Sequence, residues 1–227
     1  MAKQTTSKTS KAKASRSKVD ELALILDSYK TYVLENGHEP ASVYKFMKEL
    51  KLKETVFYNH FNSFTAVKQS IWKSFITETI TALHEEEAFV QYSAREKLLA
   101  LYFTLIEVLK DNRSYAMIDL QHMKKPEITP GFLKGFKEHF MQFVEEVLLQ
   151  AKETEEVVDR PLIGNKYGEA LWIQALFVLQ FWAKDESKGF EKTDAAIEKA
   201  VNVSFDLMGK SPIDSMLDFA KFLYQNK

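Results

Sequence analysis

The sequence predicts an all-α protein. Glycine and proline, which most often interrupt helices, occur only seven and five times in 227 residues. Apolar residues recur at spacings of three and four along most of the chain, and no alternating strand pattern persists. A content of 45% hydrophobic and 13% aromatic residues is enough to fill a substantial core. We therefore expect a folded protein built from helices.

The start of the chain differs from the rest in charge. Residues 1–18 contain six Lys or Arg and no acidic residue, whereas residues 19–227 carry 25 basic against 32 acidic groups. Residues 1–17 are rich in Ser, Thr and Lys and cannot bury enough apolar surface to offset the entropy of ordering, so the sequence predicts a disordered basic tail there. Such a tail can either contact nucleic-acid phosphates or serve only to keep the protein soluble.

Helix breaks divide the rest of the chain. Each break has a local cause, such as Asn36-Gly37 followed by Pro40, or the glycine and proline residues at 126, 130, 161, 164, 189 and 212. Between them the spacing of apolar residues predicts helices over residues 18–35, 41–49, 54–60, 63–90, 94–111, 113–123, 130–152, 165–184, 190–208 and 212–225.

Two of these helices are too short to be stable alone. Residues 41–49 and 54–60 are separated by about four residues and follow the longer helix 18–35, which has one apolar face. Two short helices joined by a tight turn and packed on a third describe a helix-turn-helix, whose second short helix enters the major groove of DNA. The sequence therefore predicts a three-helix DNA-binding domain over residues 18–75.

Specific residues within this region match a known pattern. They are Gly37-His38, Ser42-Val43, Phe46-Met47, Leu52, the run Phe57-Tyr58-Asn59-His60-Phe61, and Ser63. Residues 23–75 thereby resemble the N-terminal domain of the TetR family of bacterial transcriptional regulators, in which Tyr-x-His-Phe ends the recognition helix. Two departures stand out. Leu50-Lys51-Leu52-Lys53 replaces the family's Ala-Gly-Val-Ser, so the turn lacks its glycine, and Thr55 replaces a glycine often found in the recognition helix.

The resemblance implies a set of DNA-binding residues. Tyr58 and His60 would donate hydrogen bonds to phosphates, although the spacing alone also fits packing or capping roles. Lys, Thr, Val and Asn side chains on the exposed start of the recognition helix can read base edges. Residues 40–75 carry six Lys against two Glu, which favours DNA over a merely solvated face. The predicted DNA-binding residues are Ser42, Lys53, Thr55, Val56, Tyr58, Asn59, His60 and Lys68.

The second predicted domain, residues 76–227, is rich in aromatic residues. Three segments, 98–109, 132–149 and 170–182, are unusually aromatic, and the last is apolar on nearly all sides. The resemblance implies that this domain holds a small-molecule pocket and a dimer interface of two helices near the C terminus. Periodicity alone fits an ordinary core equally well. The candidate ligand-binding residues are Phe103, Met117, Phe140, Trp172, Phe177 and Phe181.

Several classes of protein are excluded or disfavoured by the sequence. The chain has no cysteine, which excludes disulfides, thiolate metal sites and cysteine nucleophiles. Its five histidines lack metal-site spacing, and no glycine-rich phosphate loop occurs, so we expect no enzyme, cofactor or metal. The first residues lack the apolar core of a signal peptide, and no run reaches the roughly 20 apolar residues that span a bilayer. A cytoplasmic protein without stable membrane insertion is expected.

A second resemblance supplies a rival function. Residues 177–224 contain a Phe-Trp helix, an Asp-x-Ser break, a long helix, and a Ser-Pro opening before a final amphipathic helix. By these features they resemble, more weakly, the C-terminal part of the TetR-like lipid-binding proteins of coenzyme Q biosynthesis. The last predicted helix has one apolar stripe, suited to docking either on the protein body or on a membrane surface. This stripe consists of Ile213, Met216, Leu217, Ala220, Leu223 and Tyr224. The leading prediction is a TetR-like regulator that binds palindromic double-stranded DNA as a homodimer and is released by a small apolar ligand. The alternative is a lipid-presenting protein of the same fold.

Overall fold

The all-α prediction is confirmed by the structure, a computed structural model. It describes residues 5–121, 123, 129–160, 163–210, 219 and 222–225, with side chains described from Asp20 onward. Its α-helices are α1 (Thr5–Asn36), α2 (Val43–Glu49), α3 (Glu54–Tyr58), α4 (Phe64–Glu85), α5 (Ala94–Asp111), α6 (Arg113–Gln121), α7 (Lys134–Glu153), α8 (Tyr167–Lys184) and α9 (Glu191–Met208). Short 3-10 turns lie at Glu87–Gln91, Gly131–Leu133, Gly164–Lys166 and Lys188–Phe190. Within this described part of the chain there is no strand, and no helix is long and apolar enough to cross a membrane.

The start of the chain departs from the predicted elements, and the predicted last helix is described only in part. Helix α1 begins at Thr5, so residues 5–17, predicted as a disordered tail, are helical in the structure. Ala, Lys and Arg in this segment favour helix, and no glycine or proline separates it from the rest of α1. The last predicted helix, residues 212–225, lies mostly outside the described residues, and only residues 219 and 222–225 of it are described, as helix.

The chain divides into two compact units, Met1–Trp72 and Lys73–Lys227. The first contains α1, α2, α3 and the start of α4, and the half-buried ring of Phe64 on α4 packs against aromatic rings of the other three helices. That ring lies 5.5 Å from Tyr29, 5.6 Å from Phe46 and 5.5 Å from Phe57, so one aromatic side chain joins all four helices. Aromatic pairs at such distances add to the free energy gained by burying their area. The short helices α2 and α3 are stabilised by this core, as their length requires.

The second unit is a helical bundle. Helix α5 packs on α7 and α9, while α8 packs on α6, α7 and α9. A capping box at Ser93 and Glu96 begins α5, and the Glu156 carboxylate accepts hydrogen bonds from the backbone N–H groups of Ala94 and Arg95. The largest fully buried side chains of the bundle are Trp172, Trp182, Tyr102, Phe136, Phe140 and Phe205.

Candidate functional site

Helix α2 and the turn that follows it set the position of α3. Ser42 begins α2, and its hydroxyl accepts a hydrogen bond of 3.3 Å from the backbone N–H of Lys45, as an N-cap does. Lys51 then adopts the left-handed conformation with φ of 57°, at the turn where the resembled family has a glycine. The backbone N–H of Leu52 donates to the carbonyl of Met47 at 2.9 Å and closes the turn. A lysine therefore occupies a backbone conformation that glycine adopts more readily.

Helix α3 has a buried side and an outer side. Phe57 is fully buried. On the outer side, Lys53, Thr55, Tyr58 and Asn59 are exposed, and Tyr58 keeps 57% of its surface accessible. Val56 is half-buried at the edge of this surface. The structure thus brings together five of the residues predicted to contact DNA, on a surface of hydroxyl, amide and ammonium groups that can donate hydrogen bonds.

His60 has different surroundings from Tyr58. Its side chain is only 12% exposed, and its Nε2 lies 3.6 Å from Oε2 of Glu21 on α1. Nε2 is buried and makes no hydrogen bond among the described residues. When protonated, the imidazole forms an ion pair with Glu21. In this arrangement His60 connects the end of α3 to α1, whereas a phosphate contact would require its N–H at the surface.

The other two predicted DNA-binding residues flank α3. Ser42 is half-buried at the start of α2, and Lys68 is half-buried on α4. Beyond α3, a cleft of about 380 Å³ is lined by Tyr58, Asn59, His60, Phe61, Asn62 and Ala66. It opens at the end of α3 and the start of α4, next to the predicted phosphate donor Tyr58.

Sequence reasoning missed Tyr44 on α2. Its ring is exposed, and the ammonium of Lys48 lies 5.9 Å from the ring centre, so the two side chains form a cation–π pair on the outer side of α2. Their i, i+4 spacing was the signal that could have identified the pair. An exposed tyrosine beside a lysine presents the same hydroxyl and ammonium groups as the outer side of α3.

The predicted ligand-binding residues fall into separate environments. The rings of Phe140 and Trp172 lie 5.7 Å apart in the buried core. Phe103 and Met117 are half-buried. Phe177 and Phe181 lie elsewhere, since five residues along a helix turn by about 140°, which puts Phe177 on a different side of α8 from Trp172. The structure therefore does not bring all six side chains together in one pocket.

Phe177 and Phe181 instead form part of an open apolar groove. Its volume is about 560 Å³, and its lining comprises Phe177, Phe181, Lys192, Ala195, Ala196, Lys199, Ala200 and Val203. Three of the α9 residues are alanines, which leave the aromatic rings of α8 uncovered. Next to the groove, Nε2 of Gln174 donates to the Ala200 carbonyl at 2.7 Å and to the Ser204 hydroxyl at 2.6 Å, which fixes α8 against α9. We call this surface the α8–α9 groove.

Asp185 determines how α8 connects to α9. One carboxylate oxygen accepts hydrogen bonds from the backbone N–H and hydroxyl of Ser187, and the other accepts from the same two groups of Thr193. Burial opposes ionisation of this carboxyl, but the four hydrogen bonds outweigh burial and hold the pKa of Asp185 well below its usual range. The carboxylate thus fixes the turn that places α9 beside the groove.

No metal-binding cluster of His, Asp or Glu occurs among the residues that the structure describes.

Comparisons with known proteins identify relatives. The family model described as "Tetracyclin repressor-like, C-terminal domain" matches residues 97–223. The fold is similar to that of a solved protein from Syntrophomonas wolfei assigned to the TetR family of transcriptional regulators, with a TM-score of 0.59 and 15% identity, over 83% of this chain and 95% of that one. No curated protein matches the sequence.

Proposed function

The chain belongs to the family with a tetracyclin repressor-like C-terminal domain, and from this premise we propose that it is a cytoplasmic transcriptional regulator. In this proposal it binds operator DNA as a homodimer and is released by a small apolar ligand. Residues 18–75 would bind DNA, residues 76–227 would bind the ligand and the second copy, and the basic residues of 1–17 would add phosphate contacts. No catalytic role is proposed.

The outer side of α3 is the observation that carries this proposal. Helix α3, fixed by a buried phenylalanine, exposes Thr55, and its two capping residues, Lys53 and Asn59, are exposed at its ends. Lys can donate to guanine O6 or N7, Thr can contact the thymine methyl, and Asn can pair with adenine. Val56 would add a methyl contact at the edge. An arrangement with an aromatic core beneath and polar donors above suits a helix that enters the major groove.

Phosphate contacts would come from the surroundings of this helix. Tyr58 is exposed and can donate its hydroxyl, whereas the Nε2 of His60 faces Glu21. We therefore assign phosphate binding to Tyr58 and a supporting role to His60. Ser42 and Lys68, on either side of α3, complete the predicted contacts. Such contacts fix the protein's register on the duplex without reading its sequence.

The α8–α9 groove supports the homodimer. Exposing a groove whose lining is mostly apolar to water is unfavourable, and a second copy would remove this surface from solvent. Ile173 and Leu207 are also exposed on these helices and extend the apolar surface. A twofold dimer requires a palindromic operator, and its half-sites would lie about 34 Å apart or one helical turn further.

The proposed ligand would bind within the second unit. Phe103 and Met117 are half-buried, the core of this unit contains Phe140 and Trp172, and the methionine side chain is flexible enough to adapt to an apolar molecule. A ligand that binds the DNA-free conformation more tightly would shift the population towards it and release the operator. This assignment limits the ligand to an apolar or lipid-like molecule.

Selection of genomic DNA by the purified full-length protein tests the proposal. We expect an enriched palindromic motif, and we expect the variant Asn59→Ala to lose its preference at one base position in each half-site. A control variant, Gln225→Ala, changes a polar residue in the other unit and should select the same motif as the unaltered protein. If the unaltered protein enriched no motif, the proposal that it is a transcriptional regulator would be wrong.

The rival lipid-presenting function is favoured by one observation. Four large apolar residues near the C terminus are exposed, namely Phe219, Phe222, Leu223 and Tyr224. A lipid presenter should bind vesicles of neutral and anionic phospholipid through these residues and enrich no DNA motif. If the protein binds vesicles and enriches no DNA motif, the proposed function is lipid presentation and not transcriptional regulation.

A further inference from the structure

The turn between α8 and α9 contains two consecutive left-handed residues. Gly189 has φ of 66° and Phe190 has φ of 65°. Glycine adopts this conformation without steric cost, but a residue as bulky as phenylalanine is rarely found in it. Phe190 is also the last residue before α9, and its side chain makes no capping hydrogen bond there. Contacts from outside the turn are therefore needed to hold Phe190 in this conformation.

Arg113, the first residue of α6, makes such a contact. Its guanidinium carbon lies 4.5 Å from the ring centre of Phe190 and 4.6 Å from that of Trp182, near the end of α8. The two rings lie 6.1 Å apart, so one cation covers both, and an aromatic face attracts a cation at such distances. Nη1 of Arg113 also donates to the Trp182 carbonyl at 3.4 Å. Arg113 thus connects the start of α6 to both sides of the α8–α9 turn.

The conformation of Phe190 determines how α9 begins. The backbone N–H of Lys192 donates to the Ser187 hydroxyl at 3.2 Å, and that of Thr193 donates to the Asp185 carboxylate at 2.8 Å. Both acceptors precede Phe190 in the chain and both donors follow it. A change in the backbone angles of Phe190 would therefore separate the donors from the acceptors and leave the first N–H groups of α9 without their caps.

The first turns of α9 also form one end of the α8–α9 groove, which is lined there by Lys192, Ala195 and Ala196. At the other end of these contacts, Met117, a candidate ligand-binding residue, lies about one turn after Arg113 on α6. The contacts of Arg113 therefore form a continuous connection from α6, through the turn, to this end of the groove.

We propose that Arg113 is a positioning residue that couples α6 to the α8–α9 groove. In the observed position its guanidinium holds Phe190 in the left-handed conformation, and the start of α9 stays capped. When α6 moves, Arg113 leaves the two rings, Phe190 relaxes to a negative φ, and the groove end lined by Lys192 changes shape. This coupling goes beyond the proposed function and needs neither DNA nor a ligand. Only its use by a ligand that contacts Met117 rests on the proposed function.

Amide hydrogen exchange in the full-length protein measures the coupling residue by residue. In Arg113→Gln, which lacks the cation, the amide of Thr193 should exchange roughly ten-fold faster, because exchange follows the fraction of molecules in which its hydrogen bond is open. The amide of Phe205, near the end of α9, should keep its rate. An unchanged Thr193 rate would overturn the proposal. So would an equal acceleration at Phe205, which would indicate a general loss of stability.

Arg95→Gln is the matched control for this experiment. The guanidinium of Arg95 lies 5.4 Å from the Phe205 ring centre and donates to Asp206, so it contacts α9 near the opposite end. Its replacement removes an arginine and a cation–π pair from the same helix but should leave exchange of the Thr193 amide unchanged. Equal acceleration of Thr193 in Arg95→Gln and Arg113→Gln would overturn the specific role of Arg113.

A double-mutant cycle tests whether Arg113 acts through Phe190. Phe190→Gly removes the ring, and glycine keeps the left-handed conformation without strain. In this background Arg113→Gln should change the exchange rate of Thr193 by less than about two-fold, because the side chain that the arginine positions is gone. A ten-fold effect in both backgrounds would show that Arg113 stabilises α9 by another route and would overturn the proposal.

Weakening α6 tests the coupling from its other side. Ser114 and Gln121 are exposed near opposite ends of α6, so glycine at either position weakens the helix without removing a core contact. Ser114→Gly, next to Arg113, should accelerate exchange of the Thr193 amide roughly three-fold, whereas Gln121→Gly should not. Equal rates in these two variants would show that α6 does not pass its movement to the turn. Since none of these assays uses DNA or a ligand, a failed operator selection would leave their outcome unaffected.

Discussion

At the scale of single residues, Tyr58 and His60 are two positions apart yet have opposite surroundings. Tyr58 is exposed beside Asn59, whereas the imidazole of His60 faces Glu21 across the domain. Phosphate contact requires a donor that reaches the surface. The motif that both residues share therefore contains one residue whose hydroxyl can donate at the surface and one whose imidazole contacts α1.

Replacing Tyr58 by Phe should weaken operator binding by about 1 kcal/mol, or about five-fold, because it removes one hydrogen bond and leaves the ring in place. Electrophoretic mobility shift with the selected operator measures this loss. Tyr224→Phe removes a hydroxyl that is exposed in the other unit and should leave affinity unchanged. An unchanged affinity of Tyr58→Phe across salt concentrations would contradict the phosphate contact.

Local sequence predicted the exposure of Tyr58 but not the surroundings of His60. The spacing of Phe57 and Phe61 indicated which side of α3 is buried, and Tyr58 follows from it as an outward residue. The partner of His60 could not be predicted in this way, because Glu21 is separated from it by 39 positions and the contact depends on how α1 packs on α3. Helical periodicity reports which face is buried, but it does not report the partner across a tertiary contact.

Asp185 gives a prediction about pH. Its carboxyl has a pKa below the usual range in the folded protein, so its stabilising effect is present above the unfolded pKa of about 3.9 and is lost as pH falls from there towards the folded pKa. Asp185→Asn should lower the free energy of unfolding by about 2 kcal/mol near neutral pH, because a charged acceptor is lost from buried donors. Denaturant titrations should show that the difference in free energy of unfolding between the two proteins is constant above pH of about 5 and decreases below pH of about 4.

The neighbouring carboxylate of Glu186 is the control for that experiment. Glu186 is exposed, so Glu186→Gln should change stability little at any pH in the same range. The free energies of unfolding of the unaltered protein and Asp185→Asn could instead differ by the same amount from neutral pH to pH of about 2. The hydrogen bonds of Asp185 would then not depend on its charge.

At the scale of elements, the turn between α2 and α3 shows how a missing glycine is accommodated. The sequence lacks the glycine of the resembled family, and the backbone nonetheless adopts the left-handed conformation at Lys51. The hydrogen bond from Leu52 to Met47 and the burial of Met47 and Phe57 offset the local strain. The core residues on each side of the turn thus determine its geometry.

Lys51→Gly should therefore stabilise the protein by about 1 kcal/mol, because glycine adopts this conformation without the clash of a Cβ. Hydrogen exchange of the amides in α2 and α3 would measure the gain where it arises. Lys48→Gly is the contrasting variant, since Lys48 lies within α2 and glycine there should destabilise by a similar amount. Loss of protection in Lys51→Gly would show that the lysine side chain itself stabilises the turn.

Among the other elements, α8 was predicted least completely. Its apolar sequence indicated burial on nearly all sides, and most of it is indeed buried, including Trp172 and Trp182. Phe177 is nevertheless 48% exposed within one chain. A sequence cannot distinguish burial in a core from burial between two copies, because both require the same apolar residues. The structure describes residues 5–17 as helix where composition predicted disorder, and the lysines and alanines of this segment are also good helix formers.

At the scale of the whole molecule, a dimer would explain why α8 and α9 leave an apolar groove open. Phe177→Glu should raise the dimer dissociation constant by about thirty-fold, which corresponds to the loss of about 2 kcal/mol typical of a central interface residue. Sedimentation velocity over a concentration series measures it. Val90→Glu changes an apolar residue exposed outside the groove and should leave association unchanged. Equal association of both variants with the unaltered protein would exclude this groove as the interface.

The coupling between the two proposed binding functions gives the sharpest whole-molecule prediction. A ligand that releases operator DNA must bind the DNA-free state more tightly, and by reciprocity the operator must weaken ligand binding by the same factor. Straight-chain fatty acids of increasing length serve as probes, because each buried methylene contributes about 0.8 kcal/mol and should raise affinity about four-fold. Titrating each acid with and without operator, and operator with and without acid, should give one coupling factor by both routes. An acid that binds tightly and leaves operator affinity unchanged would separate ligand binding from DNA release.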